Sequence, residues 1–220
     1  KLLIVVPMLQ IAQSISKSLS CIPRNWDGRT CILQMRDENC RNWKQMEWIG
    51  WFFQHVCEKT LRDIFVMPSA INPTDNVSFD GSADGMNYDF KAHAWVVAGG
   101  KKMDSIILND KEAMDASIRK YGQHGLLLAL LDCEYDQDGK FKAWHDNLKG
   151  SVSDYVKEGI VKKRRSRKRK LNAKVVKYVM LTINEGNIGK LGLHKQGKNS
   201  DGRPRKVKYL LKLDNLSGFL

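Results

Sequence analysis

The sequence predicts an α/β protein. Two observations lead there. Gly125 to Cys133 is a continuous apolar run of strand length, which fits a strand buried on both faces. Residues 77–94 alternate in polarity around Asp84-Gly85, a dipeptide suited to a two-residue type I′ turn because both positions need φ > 0. Helical spacing before the hairpin and between the strands supplies the flanking layers.

Along the chain, Leu2 to Leu9 is apolar but too short to cross a bilayer, and it reads as a core-packed segment. Ile11–Leu19 is expected to be a short helix, and the turn-rich, basic stretch Pro23–Thr30 a loop. Trp43 to Phe65 reads as a long helix, with Asn42 as N-cap and Met46, Ile49, Phe53, Val56 and Leu61 at helical spacing. Pro68–Thr74 is a loop leading into the hairpin. After a break at Gly99-Gly100 come a strand over Ser105–Leu108 and a helix that Asn109 or Asp110 caps and Gly122 ends. Asp136–Gly139 is a turn, and residues 141–159 are helical with a break at Gly150. Residues 162–170 form a basic block. Val175–Ile183 is the last strand, and 186–208 a glycine- and lysine-rich loop or hairpin. The 220 residues suit one core, so residues 1–220 are expected to form one domain. Within it, 1–40 would be an N-terminal arm, 41–183 the α/β core, and 184–220 a basic C-terminal hairpin or loop.

A net charge of +13 and a pI near 9.5 favour an anionic partner, most often nucleic acid. The five cysteines include no CxxC pair, which argues against a zinc ribbon and for free thiols in a reducing cytoplasm. Gly99-Gly100-Lys101-Lys102 lacks Walker A spacing, and there is no dinucleotide fingerprint, GxSxG or zinc-protease helix.

In the hairpin, counting outward from the turn sets Asp80 opposite Asp89. Period-two alternation puts Ser78, Asp80, Ser82, Asn87, Asp89, Lys91 and His93 on one face. Val77, Phe79, Met86, Tyr88, Phe90, Ala92 and Ala94 take the other. Opposed like charges destabilise a strand pair unless a cation lies between them. A hard divalent ion such as Mg²⁺ uses one or two carboxylates and keeps several waters. Lys91, on the same face, is placed to orient a water or to offset charge on a phosphate.

Asp80 followed by Asp89-Phe90-Lys91 resembles the signature of the PD-(D/E)xK nucleases, which include most type II restriction endonucleases. Phe79, not proline, precedes Asp80. The likeness covers about residues 40–135, and its catalytic part lies within 77–93. It implies an α/β fold with a restriction-endonuclease-like core, a mixed central β-sheet flanked by α-helices, with the active site on the hairpin where the sheet splays. It also implies a Mg²⁺-dependent, site-specific endodeoxyribonuclease acting on duplex DNA. Asp80 and Asp89 would hold the metal, and Lys91 would position the nucleophile. Asp75 is the alternative first acid, facing away from Asp89 unless a bulge intervenes.

Glu47 matches the family's glutamate on the first core helix, or else lies on a solvent stripe with Gln54 and Glu58. His93 is a candidate for phosphate contact or proton transfer, or else a structural histidine. His145, in Trp144-His145-Asp146-Asn147, is superficially similar to HNH nucleases but lacks the second histidine and the ββα pattern. His55, His124 and His194 carry no signal. Lys162, Lys163, Arg164, Arg165, Arg167, Lys168, Arg169 and Lys170 would run along a DNA backbone. A palindromic target would imply a homodimer. The other readings are a repair or homing nuclease on the same fold, and a basic, non-catalytic nucleic-acid-binding protein.

Overall fold

The computed structural model describes residues 5–68, 79–96, 102–150, 169–198 and 202–220. The chain is a mixed α/β protein. Helix α1 (Val5–Ser20) leads to a short strand β1 (Asn25–Asp27), helix α2 (Gly28–Asp37) and helix α3 (Trp48–Thr60). The hairpin β2 (Gly81–Ala83) and β3 (Met86–Val96) follows, then β4 (Ser105–Asp110), α4 (Lys111–Tyr121), β5 (Gln123–Tyr135) and α5 (Lys140–Leu148). The chain closes with β6 (Lys170–Asn184), β7 (Gly192–His194) and β8 (Lys208–Lys212), with 3₁₀ turns at Ile188–Lys190 and Leu213–Phe219.

The central sheet has five strands in the order β1-β6-β5-β3-β2. β3 and β5 run parallel, and the other neighbours are antiparallel. A parallel pair needs a long crossover, and the segment carrying β4 and α4 supplies it. β4 leaves the central sheet to join a second, three-stranded sheet, β4-β8-β7.

The hairpin forms as expected. Asp84 and Gly85 both take positive φ, 48° and 69°, and Gly81, Ser82 and Ala83 pair with Tyr88, Asn87 and Met86. The alternation of β3 turns its buried apolar side chains to one core. Tyr88, Phe90 and Ala94 join Trp26, Phe52 and Phe53 in a cluster under α1–α3. On β5, Leu127, Ala129 and Leu131 belong to that cluster, whereas Leu126, Leu128 and Leu130 pack against α4, β4 and β8. Both faces of β5 are therefore dry, as its unbroken apolar run requires. Gly125 lies opposite Tyr88, and a Cβ there would come within 2.2 Å of the ring. Only glycine lets the tyrosine lie flat across the sheet.

Several boundaries differ from the sequence reading. The segment read as a loop at Pro23–Thr30 contains β1 and the start of α2. The Asp27 carboxylate accepts from the Thr30 amide at 2.8 Å, a side-chain N-cap. β1 exists because it pairs with Asn172–Lys174 of β6, a partner invisible to local pattern. The long helix starts at Trp48, not Trp43. Glu47, not Asn42, is its N-cap residue, and it makes no side-chain cap bond. α4 keeps its limits, with Gly122 at φ 77° closing it. The Gly99-Gly100 break, most of the 68–74 loop and residues 151–159 lie outside the described residues. No helix among the described residues is long and apolar enough to cross a membrane.

Candidate active site

Asp80, Asp89, Lys91, His93 and Glu47 all line one cleft of about 540 Å³. β3 forms its floor. Gly50, Trp51 and Gln54 of α3 stand on one side, with Ile106, Ile107 and Asn109 of β4 on the other. The cations Arg41 and Lys208 also reach it, and Lys208 lies 3.6 Å from Asp110.

Asp80 sits just before β2, and its amide donates to the Tyr88 carbonyl at 2.8 Å. Its side chain takes over the next rung of the ladder, Oδ2 accepting from the Phe90 amide at 2.7 Å. The carboxylate is thus held by the backbone of the Asp89-Phe90-Lys91 strand rather than standing free on the polar face. Burial, and then the charge of Asp89, push its pKa up from 3.8 to about 7. The Phe90 N–H and Lys91 pull the other way without cancelling this.

Asp89 is 2 % exposed. Its Oδ2 accepts from His124 Nε2 at 2.7 Å and from the side-chain amide of Asn109. His124 Nδ1 lies 3.1 Å from Ser117 Oγ. Register explains the meeting: the parallel pairing sets Asn87 opposite His124, at the mouth of β5. His124 carried no signal in the sequence because that pairing is not a local property.

Lys91 is half-buried in the cleft beside the carboxylates. His93 lines it further along. Its Nε2 has no hydrogen-bond partner among the described residues, and burial, followed by the Lys170 charge, lowers its pKa to about 4. At neutral pH the ring is uncharged, so a phosphate would find a dipole there and not a cation.

Glu47 stands on the rim, its side chain 60 % exposed, in an ion pair with Lys170 Nζ at 2.5 Å. The carboxylate that α3 brings close enough to bear on Asp80 is Glu58, whose own pKa burial raises. Trp48 and Phe52 go to the core, while Glu47, just before the helix, lines the cleft with its side chain largely in solvent.

Of the basic block, Lys162, Lys163, Arg164, Arg165, Arg167 and Lys168 lie outside the described residues, as does Asp75. Arg169 and Lys170 are built into the fold, which corrects their place in an exposed run. Arg169 is 7 % exposed; its guanidinium donates to His145 Nδ1 at 2.9 Å and to Asp146 at 2.8 Å. A buried neutral partner, His145, and a half-buried carboxylate, Asp146, let it enter the core despite the charge around it in sequence. The same contacts give His145 a structural place: it is fully buried, and its Nε2 faces the Trp43 carbonyl at 3.2 Å.

Among the described residues no group of three or more His, Cys, Asp or Glu side chains forms a metal cage. Glu47, Asp80, Asp89 and Asp110 line the cleft, with His93 the one imidazole among its described lining residues. Paired carboxylates suit a hard ion that keeps most of its waters. The chain matches no protein-family model, no curated protein and no solved structure.

Proposed function

We propose that this chain is a Mg²⁺-dependent endonuclease of the PD-(D/E)xK type, hydrolysing phosphodiester bonds of duplex DNA in the manner of a type II restriction enzyme. One observation carries the reading. Asp80 and Asp89 meet across a hairpin in a cleft that Lys91 also lines, and the Asp80 carboxyl is pushed up to about 7 by burial and by Asp89. Two like charges held together in this way are an incomplete arrangement that a divalent cation completes. The order helix, hairpin, strand, helix, buried strand and helix is the one expected of a restriction-endonuclease-like core, with the difference that β4 pairs in the second sheet.

On this reading Asp80 and Asp89 would hold Mg²⁺, which, when bound, activates a water and offsets charge on the scissile phosphate. The Phe90 amide keeps Asp80 facing the cleft. The Lys91 ammonium orients the attacking water and stabilises charge on the phosphate. Arg41 and Lys208, on opposite sides of the cleft, meet the phosphodiester backbone. A symmetric duplex site would call for a homodimer with matching symmetry. The surplus of +13 also supports a second reading, a non-catalytic nucleic-acid-binding protein in which the hairpin is only scaffold.

The deciding experiment incubates the protein and its Lys91→Ala variant with long duplex DNA, in Mg²⁺ and in EDTA. Discrete fragments that require both Mg²⁺ and Lys91 are expected. A Mg²⁺-dependent smear lost in the variant would keep the site and remove the sequence specificity. Intact, gel-shifted DNA in every lane would overturn the nuclease and leave the binding protein.

A further inference from the structure

Asp89 is more tightly held than Asp80. Two donors, His124 Nε2 and the Asn109 amide, converge on the same oxygen, Oδ2. They come from the start of β5 and the end of β4, so the clamp is tertiary. A carboxylate only accepts, so the Nε2 facing it carries the proton. His124 is itself 2 % exposed, and its other nitrogen meets Ser117 Oγ on α4, which is also buried. The set Asp89, His124, Ser117 has the composition of a nucleophilic triad. Neither Ser117 nor His124 lines the cleft, however, so no substrate carbonyl reaches the hydroxyl. The chain of bonds ends on a carboxylate that does line it.

Resting on the metal-nuclease reading, we infer that His124 is a positioning residue for the cation. With Asn109 it occupies Asp89 Oδ2, so that Oδ1 is the oxygen presented to the metal, and Ser117 sets the ring's orientation. Groups that hold a ligand from behind in this way typically change metal affinity or activity by about 10–100-fold when removed. His124 acts through Asp89 and does not itself line the cleft.

The test measures Mn²⁺ binding to the full chain without DNA, by titration calorimetry. It compares wild type with Asp89→Ala, His124→Leu, His124→Gln and Asn109→Ala, each checked for native circular dichroism and melting. His124→Leu is expected to weaken Mn²⁺ binding about tenfold or more. It should raise the Mg²⁺ concentration for half-maximal DNA cleavage by the same factor, with most turnover restored at saturating Mg²⁺. His124→Gln, whose amide reaches the same oxygen, should recover most of the affinity. Asn109→Ala should shift binding in the same direction by less, and it stands in if the leucine variant does not fold. Wild-type Mn²⁺ affinity in the folded His124→Leu protein, or in Asn109→Ala where that variant is used, overturns the inference. If Asp89→Ala also binds Mn²⁺ as wild type does, the metal-site reading itself fails. Loss in Asp89→Ala with no change in the clamp variants removes the clamp alone.

Discussion

Asp146 and Asp80 are both aspartates drawn partly out of water, and their surroundings push them in opposite directions. Burial alone would raise Asp146, but Lys142, Lys149 and Arg169 outweigh it and hold the carboxyl well below its ordinary value. At Asp80 burial is joined by a like charge, Asp89, and the pKa climbs to about 7. In the first cluster Lys142, Lys149 and Arg169 each reach the one carboxylate within 2.8 Å, so Asp146 is more than matched by cations. In the second, two carboxylates bear on each other, and Lys91 does not cancel the effect of burial and repulsion on Asp80. A carboxylate held charged by its neighbours serves the fold, and one pushed toward its neutral form in a cleft marks a candidate site.

The widest separation between the two clusters should come from Asp89→Ala. If Asp89 holds the metal as proposed, its loss removes several kcal/mol of transition-state stabilisation, so the proposed Mg²⁺-dependent cleavage should fall about 10³-fold or more while gel-shift affinity for DNA persists. An Asp89→Ala protein that cleaves within tenfold of wild type, about 1.4 kcal/mol, would end the comparison. Arg169→Met attacks the other cluster. Removing one partner from a largely buried pair should cost about 2–3 kcal/mol in urea denaturation, with the Mg²⁺ requirement of cleavage unchanged. A neutral effect on stability would mean that the Asp146 network is only surface decoration.

Asp80→Asn should stabilise the protein. The folded carboxyl titrates near 7 and the unfolded one near 3.8, so between those values only the folded chain binds the proton. Stability in EDTA therefore falls as pH rises from about 4 to about 7, and the loss is complete above that. At pH 8 without metal the asparagine variant should be about 2 kcal/mol more stable than wild type, and Mg²⁺ should close the gap. His145 gives the opposite slope. Burial, then the Lys149 charge, lowers its pKa from 6.5 to about 4, so the unfolded chain takes up the proton first. Stability from this group is present above pH 6.5 and is lost as pH falls toward 4, an effect of about 1–2 kcal/mol that His145→Gln should flatten. The smallest effect belongs to Glu47→Ala. Its partly solvated ion pair with Lys170 should contribute under about 1 kcal/mol, and Mn²⁺ affinity should not move. A large loss of metal binding would return Glu47 to the site.

What could be read from the sequence was whatever local chemistry decides. The Asp84-Gly85 turn needs two positive φ values, so it set the hairpin register and hence the opposition of Asp80 and Asp89. The apolar run of β5 and the Gly122 end of α4 are of the same kind. β1 escaped because three residues become a strand only through a partner in β6, although Asp27 with Thr30 was a legible cap for the helix that follows. Arg169 escaped because its neighbours in sequence are all cations, while its neighbours in space are His145 and Asp146. His124 escaped for the same reason: nothing near it in sequence names Asp89. Glu47 was chosen for its apolar flanks, but those flanks point inward and leave the carboxylate at the rim.

The parallel pairing of β3 with β5 also bears on when the site comes into being. A hairpin with a two-residue turn closes on a microsecond scale from neighbouring residues alone. The bond from His124 to Asp89 joins residues 35 apart, across the whole β4–α4 crossover. Contacts of such sequence separation are made late, since the loop entropy must be overcome before they return anything. The hairpin can therefore exist before its second carboxylate is clamped. A partly folded chain would carry the Asp80 and Asp89 pair without the clamp from His124. On the proposed reading, recovery of metal binding during refolding should lag behind hairpin formation and coincide with completion of the central sheet.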